Sequence, residues 1–189
     1  MIDHSLSSSL RYPVRQVMAF NEMKPRFADL PYRSWLYLSG IAIGGSMIYG
    51  ASLSLVVQRW HFGASAMLLT FAAGLAWCVF VPIIVMATKM NVFAVTHACL
   101  VTMAYGEAVL ALGAVINVLL SSSQVFRVVD GVTFNAAWVL LSNIIMLMAL
   151  AIQLAAVKIP YWKTALLWMV ALNGSGYLFF IVFKQFLEK

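Results

Sequence analysis

The sequence is poor in charge. Only 10% of its 189 residues are Asp, Glu, Lys or Arg, whereas 63% are hydrophobic and the mean hydropathy is +0.94. A soluble domain carries about 25% charged residues. The composition therefore excludes an ordinary soluble domain and predicts an integral membrane protein.

Residues that support catalysis or metal binding are also scarce. The chain has two cysteines and three histidines, and both Cys78 and Cys99 lie in apolar segments, which argues against a disulfide scaffold. It contains no GxSxG or HExxH motif, no paired carboxylates and no cluster of His, Asp and Glu. We therefore expect a protein that is not an enzyme and that holds no metal or cofactor.

Basic residues outnumber acidic ones, and the formal net charge is +6. No nucleic-acid-binding motif accompanies this excess, so we interpret it as a signal of membrane orientation and of contact with anionic lipids. With a cytoplasmic N-terminus, that side of the membrane would carry eight of the 12 basic residues. The prediction is a bacterial inner-membrane protein with its N-terminus in the cytoplasm and its C-terminus on the opposite side.

Apolar runs set the predicted fold. A spanning helix needs about 20 mostly apolar residues, and five windows meet this requirement: 34–57, 64–88, 92–120, 133–157 and 162–186. The loops between them are short. We predict an all-α fold in which a cytoplasmic segment, 1–33, precedes a bundle of five transmembrane helices, 34–189.

The segment before the first window predicts a short interfacial helix. An apolar stripe formed by Leu10, Val14, Val17 and Met18 lies opposite the charged residues Arg11, Arg15 and Glu22. This pattern is typical of a helix that lies on the membrane surface, although a disordered tail with fortuitous spacing is the alternative. Arg11 and Arg15 are the expected lipid contacts.

Glu107 is the most unusual residue, because it lies at the centre of the third window. At about 1.5 Å of rise per residue, Asn143 and Asn173 fall at the same depth in the fourth and fifth windows, and Tyr177 lies one turn beyond Asn173. A carboxylate at the bilayer centre is costly and normally finds partners inside the bundle. We predict a polar cluster of these four residues, which either braces the helices or handles a proton or solute.

His97, ten residues before Glu107, is the second ionisable group of this window. The separation of about 15 Å along a helix prevents the two side chains from acting as a pair. By depth, Gln153 of the fourth window is the better match for His97, and we expect a structural histidine.

Small residues predict close helix packing. In the first window, whose midpoint falls at Gly44 to Ser46, Gly40 and Gly44 have GxxxG spacing, and Ser46 and Gly50 belong to a second row of small residues. Such rows let helix backbones approach each other in membranes. Gly40, Gly44, Ser46 and Gly50 are therefore the expected packing residues.

Nearly the whole chain resembles the Yip1 family of five-span membrane proteins, particularly its short bacterial members. The resemblance rests on the basic, proline-containing segment and Gly-rich first span at 10–53, on the third span with Tyr-Gly at its centre at 92–119, and on the short turn before the last span at 156–172. The family implies a cytoplasmic N-terminus, five helices and no catalytic activity. Family members often have Pro soon after the Tyr-Gly pair, where this chain has Glu107 and Ala108.

Two functional hypotheses follow. The first is a non-enzymatic accessory or organising subunit of a larger membrane assembly, with lipids and with other membrane proteins or further copies of itself as partners. The second is a small-solute or proton permease in which Glu107 titrates. A lipid-modifying enzyme is a third possibility without an evident nucleophile or acid–base pair.

Overall fold

The computed structural model describes residues 6–22, 32–58, 80–122, 128–174 and Ile181, with the backbone alone at 57, 128, 129 and 171–174. In these ranges the chain is helical and has no strand. The helices are α1 (Leu6–Arg11), α2 (Pro13–Glu22), α3 (Tyr32–Val57), α4 (residues 80–87), α5 (Val92–Ser121), α6 (Val128–Ala156) and α7 (Tyr161–Leu166), followed by a π-helical segment at Leu167–Gly174.

Three of the described helices are long and apolar enough to cross a membrane: Tyr32–Val56, Val92–Ser121 and Asp130–Ala156. They correspond to the first, third and fourth windows predicted from the sequence. The second and fifth windows extend beyond the described residues, so the five-span count stays a prediction.

The ends of the helices follow from local chemistry. The Asn91 side chain caps α5, because its Oδ1 accepts from the backbone N–H groups of Phe93 and Ala94 at 3.0 and 3.3 Å. Lys89 and Lys158 have positive φ angles just beyond α4 and α6. In both turns the next residue's N–H bonds to the carbonyl five positions earlier, which is the Schellman arrangement that ends helices.

Helices α3 and α5 run parallel along one another. Trp35 lies beside His97 near the start of both helices, and Gly45 meets Glu107 in the middle. Near their ends, Val56 and Ser121 both approach Gly131 of α6. The antiparallel α6 packs against α5 and also contacts α3, where Asn135 meets Tyr49.

Helix α2 packs against the helical bundle. Val17 and Phe20 are 0% and 1% exposed and belong to the main apolar cluster with residues of α4, α5, α6 and the π-helical segment. The Asn91 amide holds the end of α2 by donating to the Asn21 carbonyl at 3.3 Å. Met18, part of the predicted apolar stripe, is 44% exposed. A helix is present where one was predicted, and its position at a membrane surface stays a prediction.

Candidate functional site

Glu107 lies where α5 touches α3 most closely. A Cβ atom on Gly45 would come within 2.7 Å of the Glu107 carbonyl oxygen, so the two backbones are in direct contact. The Glu107 side chain forms a hydrogen bond with Ser46 of α3. Its Oε2 atom is buried and has no hydrogen-bond partner among the described residues.

A second polar contact lies one turn further along α3. The Asn135 amide of α6 donates to the Tyr49 hydroxyl at 3.2 Å, and Tyr49 lies within electrostatic range of Glu107. Ser46, Glu107, Tyr49 and Asn135 therefore bring polar groups of α3, α5 and α6 to one part of the bundle. We call these four residues the central polar group.

The predicted cluster around Glu107 is only partly described. The Asn143 amide donates to the Val139 carbonyl of its own helix at 2.8 Å, and Asn143 lines an open groove that also contains Trp168. The hydrogen bonds of the described residues do not join it to Glu107. The Asn173 side chain and Tyr177 lie outside the described residues, so their part in the cluster stays a prediction.

Sequence reasoning missed both Tyr49 and Asn135, and it named Ser46 only as a packing residue. Ser46 lies at the midpoint of the first window, as Glu107 does of the third, so matching depths could have identified it. Asn135 lies near the start of the fourth window, where a polar residue normally faces the membrane surface and attracts no attention.

Three glycines at close helix contacts, Gly45, Gly106 and Gly113, were not among the predicted packing residues. An added Cβ on Gly40 or Gly44 would meet no atom within 4 Å among the described residues, whereas one on Gly45 would overlap the Glu107 backbone. Ser46 and Gly50 are buried. Two glycines of α5 receive large side chains of α6, because Met146 occupies the space beside Gly106 and Trp138 the space beside Gly113.

His97 is fully buried and serves the junction of three helices. The Trp35 indole N–H donates to its Nδ1 atom at 3.2 Å, and the Phe20 ring of α2 lies 4.9 Å away, between ring centroids. The Gln153 amide, predicted to lie at the depth of His97, donates to the Thr102 hydroxyl at 3.2 Å. His97 accordingly has a structural setting.

Few other described side chains are candidates for metal binding, thiol chemistry or lipid contact. No group of three or more His, Cys, Asp or Glu side chains in the described ranges could hold a metal ion. Cys99 is a free, buried thiol. Arg11 and Arg15, the predicted lipid contacts, are exposed, as a contact with head groups requires.

The fold and these contacts define a class: an all-α protein with three helices long and apolar enough to cross a membrane, joined by buried polar contacts. Comparisons with protein-family models, with curated proteins and with solved structures gave no match.

Proposed function

We propose that this protein works by association, as a non-enzymatic accessory or organising subunit of a larger membrane assembly. In this proposal it has a Yip1-like, five-span architecture in a bacterial inner membrane. Its N-terminus is cytoplasmic, and membrane lipids and other membrane proteins, or further copies of itself, are its partners.

The observation that carries the proposal is the use of buried polar side chains to join helices. Thr102 accepts from Gln153, and the Asn117 amide donates to the Gly131 carbonyl at 2.9 Å. The Ser142 hydroxyl donates to the Gly106 carbonyl at 3.2 Å. Each bond connects α5 with α6 and satisfies groups that would be costly to bury alone. Polar residues used in this way brace a scaffold.

The parallel course of α3 and α5 supports the five-span topology. Because both helices run in the same direction across the membrane, the chain must return to the first end between Val57 and Val92. A spanning helix in the predicted window 64–88 would accomplish this return. Eight basic residues on the N-terminal side favour the cytoplasm for that side.

The outer surface of α3 supplies a place for partners. Leu36, Met47 and Leu55 are 73%, 55% and 67% exposed. In a membrane such side chains contact lipid or another helix, and helices associate there through close packing. The exposed Gly40 lies on the same helix, where a second backbone could approach.

Photo-crosslinking in native membranes tests the proposal. A photoreactive amino acid at Leu36 or Met47 should yield a discrete crosslinked protein that mass spectrometry identifies. The matched control places it at Ala104, which is 1% exposed and should react only within the chain. If Leu36 and Met47 gave lipid adducts alone and the purified protein were a monomer, the proposal would fail.

A proton or small-solute permease is the second candidate, and one observation favours it: the buried Oε2 atom of Glu107 lacks a partner among the described residues. An unpartnered buried oxygen is available to hold a proton or to bind a solute. Flux in proteoliposomes should then depend on pH and be lost in Glu107→Gln. Absence of flux in the wild-type protein would reject this candidate and leave the first untouched.

A further inference from the structure

The hydroxyl of Ser46 has two neighbours and one hydrogen. Its oxygen lies 3.1 Å from the Ala42 carbonyl, to which it donates, and it also forms a hydrogen bond with the Glu107 side chain. A carbonyl and an ionised carboxylate are both acceptors, whereas a serine hydroxyl donates one hydrogen and can accept others. While Ser46 donates to Ala42, its oxygen can accept from a protonated Glu107, and when Glu107 is ionised Ser46 can donate to the carboxylate in place of Ala42.

Among the described residues, none supplies a positive charge beside Glu107. Tyr49 is the titratable side chain of α3 that lies within its electrostatic range. The described part of α6 has one titratable residue, Asp130, at its far end. Helix α5 itself carries His97, Cys99 and Tyr105, all before Glu107, and no Lys or Arg. A bare carboxylate here would be costly inside a membrane.

Polar groups extend from Glu107 in one direction. Towards the end of α5 come Tyr49 with Asn135, and then Asn117 with Gly131 and Ser121, where the Ser121 hydroxyl donates to the Asn117 side-chain oxygen at 3.5 Å. Ten residues separate Glu107 from Asn117, which is about 15 Å of helix. These groups lie along the contact of α3, α5 and α6.

In the opposite direction the part of the α3–α5 contact next to Glu107 is apolar, and the Trp35–His97 hydrogen bond lies beyond it. Leu38, Val101 and Ala104 form a buried cluster there, and Leu100, Ile41 and the α1 residues Leu6 and Leu10 pack against it. Leu38 and Val101 are fully buried. Along the α3–α5 contact of the described residues, this cluster separates Glu107 from the end of the bundle at which α3 and α5 begin, whereas the Thr102–Gln153 bond on that side lies between α5 and α6.

We propose that Glu107 is a proton-binding site that exchanges its proton with the water at the end of the bundle where α5 ends. On binding, a proton from that water joins a carboxylate oxygen, the resulting O–H donates to Ser46, and Ser46 donates to Ala42. On release, the proton returns to the same side, and the Ser46 hydroxyl turns from Ala42 to donate to the carboxylate. Ser46 positions the proton, and Tyr49 and Asn135 form the first step of the polar route.

This inference deepens the permease candidate by naming its ligand and its side of access, yet a site of this kind can also exist in a protein that transports nothing. Proton binding is therefore measured separately from flux. If Glu107 is labelled but no flux is observed, the proton-binding site is retained and the permease is rejected. If flux is observed but Glu107 is not labelled, the permease is retained and the proton-binding site is rejected.

Labelling with dicyclohexylcarbodiimide detects the site in membranes that contain the intact chain. A buried protonated carboxyl group adds across a C=N bond of the reagent, and the resulting O-acylisourea rearranges to a stable N-acylurea. We expect the adduct on Glu107, with labelling that slows as the pH rises. Glu107→Gln should lose it completely, whereas Asn143→Leu, outside the central polar group, should label at the wild-type rate.

The side of access is tested in sealed vesicles with a pH difference between the two sides. A Ser122→Cys variant, reacted with a membrane-impermeant maleimide, identifies the side at which α5 ends. The labelling rate should follow the pH on that side, and Asn135→Leu should weaken this dependence. A rate that followed the pH on the other side would overturn the proposed route.

Difference infrared spectra of wild type and Glu107→Gln provide a second measurement that does not depend on the reagent. The wild-type protein should show the C=O stretch of a protonated carboxylic acid, which is absent from the variant. Glu107→Gln can still donate to Ser46, so it should remain folded. Carboxylate bands alone across the accessible pH range would overturn the site, and protection by sodium at constant pH would assign it to sodium in place of the proton.

Discussion

Helix α5 meets α3 and α6 in different ways. On the α3 side the contact is between backbones, because Gly45 lies directly against the main chain of Glu107. On the α6 side the contact is between a glycine and a side chain: Met146 fills the space beside Gly106, and Trp138 the space beside Gly113. The α3–α5 contact cannot change without moving a helix, whereas the α5–α6 contact can adapt by rotating side chains.

This difference explains where the central polar group lies. Ser46 and Glu107 are held together because the two helices are fixed at Gly45, one residue from Ser46. On the α6 side, the Trp138 indole N–H donates to the Val109 carbonyl at 2.7 Å. This hydrogen bond fixes the orientation of a side chain that could otherwise rotate. Substitutions at the three glycines should separate the two types of contact.

The largest effect is expected for Gly45→Ala. The new methyl group would lie 2.7 Å from the Glu107 carbonyl oxygen and 2.8 Å from its carbonyl carbon, and neither atom can move without displacing α5. Overpacking of this kind costs about 3 kcal/mol of unfolding free energy. The measurement is the unfolding free energy in detergent micelles, obtained by titration with a denaturing detergent.

Gly44→Ala is the matched control for Gly45→Ala. It lies on the same helix, and its new methyl group would meet no atom of the described residues within 4 Å. Removing a helical glycine should stabilise the protein by up to about 1 kcal/mol. Equal losses in the two variants would show that Gly45 does not mark the closest approach of α3 and α5.

Gly113→Ala should have the next largest effect. The methyl group would overlap the indole of Trp138, a rigid ring that is stacked on Phe134 at 5.7 Å between centroids and bonded to Val109. Since the ring must leave both partners, we expect a loss of about 2 kcal/mol. A Trp138→Ala background should abolish the additional cost of Gly113→Ala, and persistence of the full cost there would contradict a side-chain contact.

Gly106→Ala should cost less, about 1 kcal/mol. The overlapping group is the thioether of Met146, which has three rotatable bonds and adapts to irregular space. In a double-mutant cycle, Met146→Ala should remove this cost. A penalty as large as that of Gly45→Ala would show that the α5–α6 contact is as rigid as the α3–α5 contact.

The sequence was sufficient to locate the long helices. The windows at 34–57, 92–120 and 133–157 correspond to the helices Tyr32–Val57, Val92–Ser121 and Val128–Ala156. The agreement is close because a spanning helix requires an apolar run of about its own length. The early start of α6 was missed since Asp130 resembles a loop residue. An acidic side chain in the first turn of a helix is instead favourable, because it complements the helix dipole.

The contacts that each residue makes were harder to predict from the sequence. Depth along parallel or antiparallel helices follows from residue counting, and it correctly places Ser46 and Glu107 at one level. The direction in which each side chain points depends on how the helices are rotated, which hydrophobicity hardly determines when a helix is apolar on every side. For this reason Gly45 was missed beside Gly44, and the hydrogen bond from Gln153 to Thr102 was not predicted.

The smallest effect is expected for Gln153→Leu, on the α6 side. The Gln153 amide donates to Thr102 at 3.2 Å and to the Ala149 carbonyl at 3.1 Å, while its buried oxygen has no partner among the described residues. Hydrogen bonds between membrane helices contribute about 0.6 kcal/mol on average, and leucine removes the unpaired acceptor together with the bond. The unfolding free energy should change by no more than about 0.6 kcal/mol, with Thr102→Val as the matched removal of the other partner. A loss comparable to that of Gly113→Ala would mean that polar bonds, as well as fitted side chains, determine the strength of the α5–α6 contact.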